Sequence, residues 1–299
     1  MKNEPAKLLK AHQRHSRRFE DFGLIYPVLS RRSKGISIGI NLSPHKGCNF
    51  DCPYCQVDRT EGLNKQAKCS PEQAESELRQ MIDIVLSGQL YEHKPFDTTP
   101  PNLRRLNDIA LSGDGEPTSE KEFLEICQLA AKVRSDYQLN DLKLVLITNA
   151  TMLHQHRVQE ALTILDKNNG QIWAKLDAGT ESLYQLINKT TIPFQRVLDN
   201  LIMVSRKRPI VIQSMFVQTN SQPVSKKEIE AYTNRLNEIL QAQGQITTVQ
   251  IYTIARKPAN TNLTPLTKNE LQTIAQQVKE KIPVPIEIFT GGDDWSITQ

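Results

Sequence analysis

Short apolar runs alternate with longer amphipathic segments along this chain. The runs at 36–41, 108–111, 142–148, 171–177, 209–217 and 248–254 have the length and apolar content of β-strands. Between them, apolar residues recur at helical spacing, most clearly at Leu78, Met81, Ile82, Val85 and Leu86. Comparable patterns predict helices at 120–133, 153–165, 182–187, 194–205, 226–241 and 268–281. Ser70-Pro71-Glu72 opens the first helix, with serine as N-cap and proline in the first turn, and Gly88 closes it. A short apolar strand at 286–289 precedes a polar tail.

Strands that alternate with helices predict right-handed βαβ units and a parallel sheet. Six main strands are too few for a closed eight-fold barrel and fit an open, partial α/β barrel with outer helices. Residues 22–33, punctuated by Pro27, read as irregular; 89–107 and 218–224 read as loops. No internal repeat interrupts the pattern. The expected organisation is one domain, 31–299, preceded by a basic extension, 1–30, whose first 20 residues read as a helix or a loosely ordered arm.

Composition narrows the class. Hydrophobic residues make up 38% and charged residues 23%, as in a soluble globular protein. No apolar run approaches the ~20 residues a membrane span needs, so no membrane partner is expected. The first segment is charged and lacks an apolar signal core, so export is not expected. Of five cysteines, three are clustered, which points to a reducing, cytoplasmic compartment rather than a disulfide framework. Net charge is only +4, but Lys7, Lys10, Arg14, Arg17, Arg18, Arg31, Arg32 and Lys34 crowd the first segment. Such a run serves either as a nucleic-acid contact or as a solvated helix face.

The chemistry gathers at Cys48, Cys52 and Cys55, spaced C-x3-C-x2-C just after the first strand. Three thiolates this close suit a soft metal centre. The residues alone leave three readings: an iron–sulfur cluster with one iron open to another ligand, a Cys3His zinc site completed by His45, or a dithiol at Cys52 and Cys55. Cys127 lies in an amphipathic pattern and reads as core; Cys69, before a helix start, reads as incidental. In α/β barrels chemistry collects at the C-terminal strand ends. The second strand ends in Ser112-Gly113-Asp114-Gly115-Glu116-Pro117-Thr118, where glycines admit a ligand close to the backbone and Glu116 supplies a carboxylate, unless it is an ordinary turn. By parity the fourth strand points Trp173, Lys175 and Asp177 into the barrel and Ile172, Ala174 and Leu176 toward the helices. Lys175 and Asp177 either pair with each other or meet a ligand. Parity does not decide between Gln213 and Ser214. Gln250, Tyr252 and Arg256 share a face, with Arg256 placed to clamp a carboxylate or phosphate. Asn149 ends the third strand as a ligand contact or a turn cap, and His154 and His156 read as surface residues.

The cysteine spacing, with an aromatic Tyr54 before the last cysteine, resembles the cluster motif of the radical S-adenosylmethionine (SAM) superfamily. That resemblance implies a partial (β/α)6 barrel. It implies that Cys48, Cys52 and Cys55 hold three irons of a 4Fe–4S cluster whose fourth iron binds the amino and carboxylate groups of SAM. An electron from the cluster then releases a 5′-deoxyadenosyl radical, and an electron donor such as a flavodoxin or ferredoxin is the implied partner. Gly113-Asp114-Gly115-Glu116-Pro117 is similar to the family's Gly-Gly-Glu-Pro motif, which contacts the SAM amino group, with an aspartate between the glycines. Tyr54, the 113–118 loop through Thr118, Asn149, Asp177 and Gln213 are the expected cofactor contacts, and Lys175 and Arg256 the expected catalytic residues. Ser30-Arg31-Arg32-Ser33-Lys34-Gly35-Ile36-Ser37-Ile38-Gly39, Leu111–Thr118 and Lys175-Leu176-Asp177-Ala178 resemble a branch of predicted iron–sulfur oxidoreductases related to the wyosine synthases, which modify a guanosine in tRNA. Those synthases carry a second cluster on upstream cysteines, and no cysteine precedes Cys48. The expected substrate is therefore open among RNA, a peptide or protein, and a small molecule. A metal-stabilised nucleic-acid-binding module without catalysis is the rival from another class.

Overall fold

The computed structural model describes residues 19–59, 62–64, 66–219, 222–255 and 263–290. Lys7, Lys10, Arg14, Arg17, Arg18 and Arg256 lie outside the described residues.

The strands are β1 (Ile25–Ser30), β2 (Gly35–Asn41), β3 (Leu106–Ser112), β4 (Lys143–Thr148), β5 (Gly170–Lys175), β6 (Ile210–Met215), β7 (Val217–Thr219), β8 (Ile246–Tyr252), β9 (Leu263–Pro265) and β10 (Ile286–Phe289). The helices are α1 (Pro71–Leu86), α2 (Phe123–Asp136), α3 (His156–Asp166), α4 (Glu181–Asn188), α5 (Phe194–Lys207), α6 (Lys226–Gln241) and α7 (Lys268–Lys279). Eight strands form one sheet in the order β1-β2-β3-β4-β5-β6-β8-β10, while β7 and β9 pair separately. From β2 to β10 neighbours are parallel, and successive crossovers carry the helices. The sheet curls into a half-barrel with helices around it, the partial barrel expected from the sequence. Among the described residues no helix is long and apolar enough to cross a membrane.

Each strand is two-faced because side chains alternate. Ile38, Ile40, Ile109, Leu111, Leu144, Leu146, Ile172, Ala174, Ile212 and Val249 join the main core under the helices. The opposite face carries a separate apolar plug, Val145, Trp173 and Val211, with Ile147 against it. Polar groups including Ser37, Asp108, Gln213 and Gln250 are also buried. Burying them requires hydrogen-bond partners, and those partners shape the site.

The segment 22–33 departs from its irregular reading. Residues 25–30 form β1, antiparallel to β2, with Pro27 opposite Ile38. The strand lies at the sheet edge, where a residue without an N–H leaves no ladder bond broken. Its entry is held by Glu77 of α1, whose carboxylate accepts from the N–H groups of Gly23, Leu24 and Ile25 at 3.0, 2.9 and 3.0 Å. The sheet therefore begins inside the segment read as an extension. The fifth predicted strand stops at Met215, and Val217–Thr219 turns away to pair with Leu263–Pro265. Within 89–107, three short 3-10 turns replace a structureless loop.

Candidate active site

The three cysteines occupy the loop between β2 and α1, at the C-terminal end of β2. The loop is pinned by its non-cysteine residues. Asn49 donates to Thr151 Oγ1 at 2.7 Å and accepts from Asn149 Nδ2 at 2.7 Å, which ties it to the end of β4. Asp51 N–H donates to Asn188 O at 3.0 Å, and Phe50 packs edge-on against Tyr184. Cys48 Sγ accepts from Phe50 N–H at 3.5 Å, and Cys55 Sγ accepts from Arg59 Nη1 at 3.3 Å. Cys52 donates to Asn188 Oδ1 at 3.6 Å. Burial pushes the Cys48 thiol up to about 11 and the Cys52 thiol up to about 12. These groups stay protonated at neutral pH until a metal displaces the proton.

His45 is engaged elsewhere: Nδ1 accepts from Gly47 N–H at 2.8 Å and Nε2 lies 3.2 Å from Glu120 Oε2. Among the described residues no three His, Cys, Asp or Glu side chains converge closely enough to hold a single metal ion. Three sulfurs on one loop, two of them receiving N–H donors, fit a cluster that spreads three thiolates over separate irons.

The loop after β3 rests directly on the cysteine loop. A Cβ on Gly115 would lie 1.9 Å from Gly47 O, and one on Gly113, at φ +137°, would lie 2.3 Å from Asn41 Oδ1. Only glycine permits this approach. Asn41 fastens the loop further, accepting from Asp114 N–H at 3.0 Å and donating to Asp114 Oδ2 at 2.8 Å. Arg59 joins both loops, donating to Lys46 O and to Asp114 O at 2.8 Å each.

Glu116 turns inward. Its Oε1 accepts from Thr118 N–H at 3.1 Å, Thr118 Oγ1 at 2.5 Å and Thr148 Oγ1 at 2.6 Å, and its Oε2 accepts from Asn149 N–H at 2.7 Å. Pro117 and Thr118 form a buried 3-10 turn beneath it. Glu116, Thr118 and Asn149 thus hold the ends of β3 and β4 together. The loop surface toward the cysteines is made by Gly113, Asp114 and Gly115.

A second network crosses the barrel. Tyr54, beside Cys55, donates to Asp177 Oδ2 at 2.5 Å, and Met215 N–H donates to Asp177 Oδ1 at 2.7 Å. Lys175 Nζ lies 3.3 Å from Asp177 Oδ2, so the two residues do pair; it also donates to the Tyr252 hydroxyl. Burial works against the Lys175 ammonium, but Asp177 and Tyr252 outweigh it and hold its pKa above the ordinary lysine value. Gln213 points inward and donates to Gln250 Oε1 at 2.9 Å, while Ser214 points outward to Tyr232. His154 and His156 are exposed.

Between β1–β3 and the plug residue Trp173 lies a cavity of about 420 Å³ that reaches the 113–115 loop. Asp108 lines it. Burial raises the Asp108 carboxyl from 3.8 to about 6, against the hydrogen bond from Ser37. The folded chain therefore holds a proton between pH ~4 and ~6 that the unfolded chain has lost. This residue's contribution to stability is complete below ~4 and lost above ~6, a change of about 3 kcal/mol at 1.36 per pKa unit. The unfolding free energy of Asp108→Asn, relative to the unaltered protein, should rise by that amount from pH 4 to 7 in urea titrations. A difference that stays flat with pH would refute the burial of an ionisable Asp108.

The sequence signature described as the radical SAM superfamily matches residues 42–222. The chain belongs to the radical SAM superfamily. The matched span holds the cysteine loop, the 113–118 loop, Lys175, Asp177 and Gln213. A UPF0026 protein of Helicobacter pylori is 23% identical over 250 residues, covering 82% of this chain and 70% of that protein. A protein named GTPase Obg from Brachyspira hyodysenteriae is 25% identical over 271 residues, covering 89% of this chain; the chain spans 35% of that relative's length. A solved structure of TYW1 with a lysine–pyruvate adduct bound superposes with a TM-score of 0.52 at 16% identity, over 82% of this chain and 73% of that one, and shares the fold. The resemblance drawn from the cysteine spacing is thereby shown. The radical SAM half-barrel also uses residues the sequence did not single out: Asn41, Arg59, Asp108 and Asn188. For Arg59 there was a signal, a cation four positions after Cys55; the others carry none.

Proposed function

We propose that Cys48, Cys52 and Cys55 hold a 4Fe–4S cluster and that this radical SAM enzyme cleaves SAM reductively. When bound, such a cluster would supply the electron for reductive cleavage of SAM. The observation that carries this reading is the seating of Gly115 on the cysteine loop, 1.9 Å from a virtual Cβ to Gly47 O. It joins the sulfur donors and the glycine-rich loop into one surface at the barrel mouth.

Each residue set has its own task. Phe50 N–H and Arg59 direct donors at two of the sulfurs, which favours thiolate over thiol. The backbone of Gly113, Asp114 and Gly115 offers SAM a close, rigid wall, and Glu116 with Asn149 keeps that wall in register with β4. The Tyr54–Asp177–Lys175 network fixes the cysteine loop to the barrel interior, where the cavity receives substrate. The electron donor is a small electron-carrier protein such as a flavodoxin or ferredoxin, and the compartment is reducing.

Anaerobic incubation of the reconstituted protein with SAM and dithionite should release 5′-deoxyadenosine and methionine in equal amounts, slowly, without added substrate. Protein that holds iron and sulfide yet yields no 5′-deoxyadenosine would refute reductive cleavage.

A further inference from the structure

We propose that Arg31 and Arg32 form the anion-binding end of the barrel cavity, so that the substrate is a small molecule carrying a phosphate or carboxylate group. The proposal rests on the function proposed above for its placement in a reaction, but its evidence is separate.

Arg31 and Arg32 sit in the turn between β1 and β2 and line the same cavity as Gly113, Asp114 and Gly115. Other arginines that are at least partly buried give most of their guanidinium donors to the protein. Arg59 donates to Lys46 O, Cys55 Sγ and Asp114 O. Arg134 donates to Leu142 O and Asn140 O, and Arg157 to the carbonyls of Thr118, Ser119 and Glu120. Arg208 pairs with Asp166 through Nε, leaving Nη1 without a partner. Arg31 uses a single donor, to Thr290 O at 2.5 Å, and Arg32 makes no hydrogen bond or ion pair among the described residues. Three aspartates, Asp58, Asp108 and Asp114, line the same cavity. Asp114 is held by Asn41, and Asp108 accepts from Ser37 on one oxygen while its Oδ2 has no partner. Among the described residues none of the three forms an ion pair with Arg31 or Arg32.

Two adjacent cations with no carboxylate in an ion pair with either are costly in a partly closed space. Burial first, and the neighbouring Arg32 second, bring Arg31 down to about 10. An anion in the cavity relieves both effects, and the planar forks suit the paired oxygens of phosphate or carboxylate. The Arg32 guanidinium is held 4.4 Å from the centroid of the Tyr252 ring, whose hydroxyl takes the Lys175 hydrogen bond. The anion site is thus one ring away from the network that ends beside Cys55. A volume of about 420 Å³ belongs to the range of small-molecule sites, 300–1,000 Å³.

The test is calorimetric titration of the reconstituted protein with inorganic phosphate and, separately, with malonate. One of the two should bind, and which one identifies the anion. Arg31→Gln with Arg32→Gln should weaken that binding by about tenfold or more, as loss of charge-assisted bonds does. Arg31→Lys with Arg32→Lys should recover part of it, because charge returns without the fork. Unchanged affinity in the glutamine variant overturns the proposal, as does failure of both anions to bind the unaltered protein. Asp293 and Asp294 lie outside the described residues. Binding that occurs only in Asp293→Asn with Asp294→Asn also overturns it, because the arginines then serve the chain's own acids. Iron content and SAM affinity, measured on the same samples, report on the radical SAM function independently. Anion binding without either leaves this proposal standing while that function fails; both without anion binding does the reverse.

Discussion

Alanine at Cys55 is expected to leave a folded protein without an intact cluster. The unaltered protein, reconstituted anaerobically with iron and sulfide, should be brown and hold about four irons per chain if the superfamily's cluster type applies. The variant should lose most of that iron and all release of 5′-deoxyadenosine, and alanine at Cys48 or Cys52 should do the same. Among the described residues no substitute ligand stands by. His45 is occupied by Gly47 N–H and Glu120. Cys69 and Cys127 are buried, at 4% and 0% exposure, within the hydrophobic core. Their alanine variants should keep full iron content, at the modest stability cost of a smaller core side chain. Cys55 is only half-buried, so its loss removes a ligand without opening a core cavity. Iron and acid-labile sulfide assays decide the matter: full iron in Cys55→Ala would sink the three-thiolate assignment.

Asp177→Ala should cost about 3–5 kcal/mol of folding free energy, the range for removing one partner of a buried pair. Asp177 is 4% exposed and carries three partners on two oxygens: Tyr54, Lys175 and Met215 N–H. Without it the Lys175 ammonium remains in the barrel with no counter-charge, and the Tyr54 hydroxyl keeps only the long contact to Asn188 Oδ1 at 3.5 Å. Lys175→Met in the same chain should restore most of the loss, because the uncompensated charge goes too. Urea unfolding of the two single variants and the double variant measures the coupling. Additive effects would show that the ion pair contributes nothing. SAM affinity of the double variant then separates the two readings of this pair. Affinity that falls while stability is recovered assigns the pair to the ligand, whereas unchanged affinity assigns it to the architecture.

How far the sequence reached depended on how local the cause was. Helix α6 has the bounds its apolar spacing predicts, 226–241, because i, i+3, i+4 periodicity and the Ser225 cap lie within the element itself. Parity on β5 was right for the same reason: Trp173 lies in the inner plug and Ile172, Ala174 and Leu176 in the outer core. Strand β1 was missed because Pro27 argues for a break, and only an edge position makes it harmless. Glu116 was read as a SAM contact from its motif. Whether its carboxylate meets a ligand or its own fold depends on Thr148 and Asn149, 32 and 33 residues away.

By itself, then, the sequence determined the strand–helix alternation, the three sulfur donors and the glycines beside them. Each is a short-range pattern that a few neighbouring residues impose on one another. Only the tertiary structure decided what those elements touch. It brought Tyr54 to Asp177 across 123 residues and Asn49 to Asn149 across 100, and it set Arg32 against Tyr252 at the cavity's far side. Such pairs leave no trace in spacing, because they arise from the order and curl of the strands, which bring distant residues to the same end of one barrel.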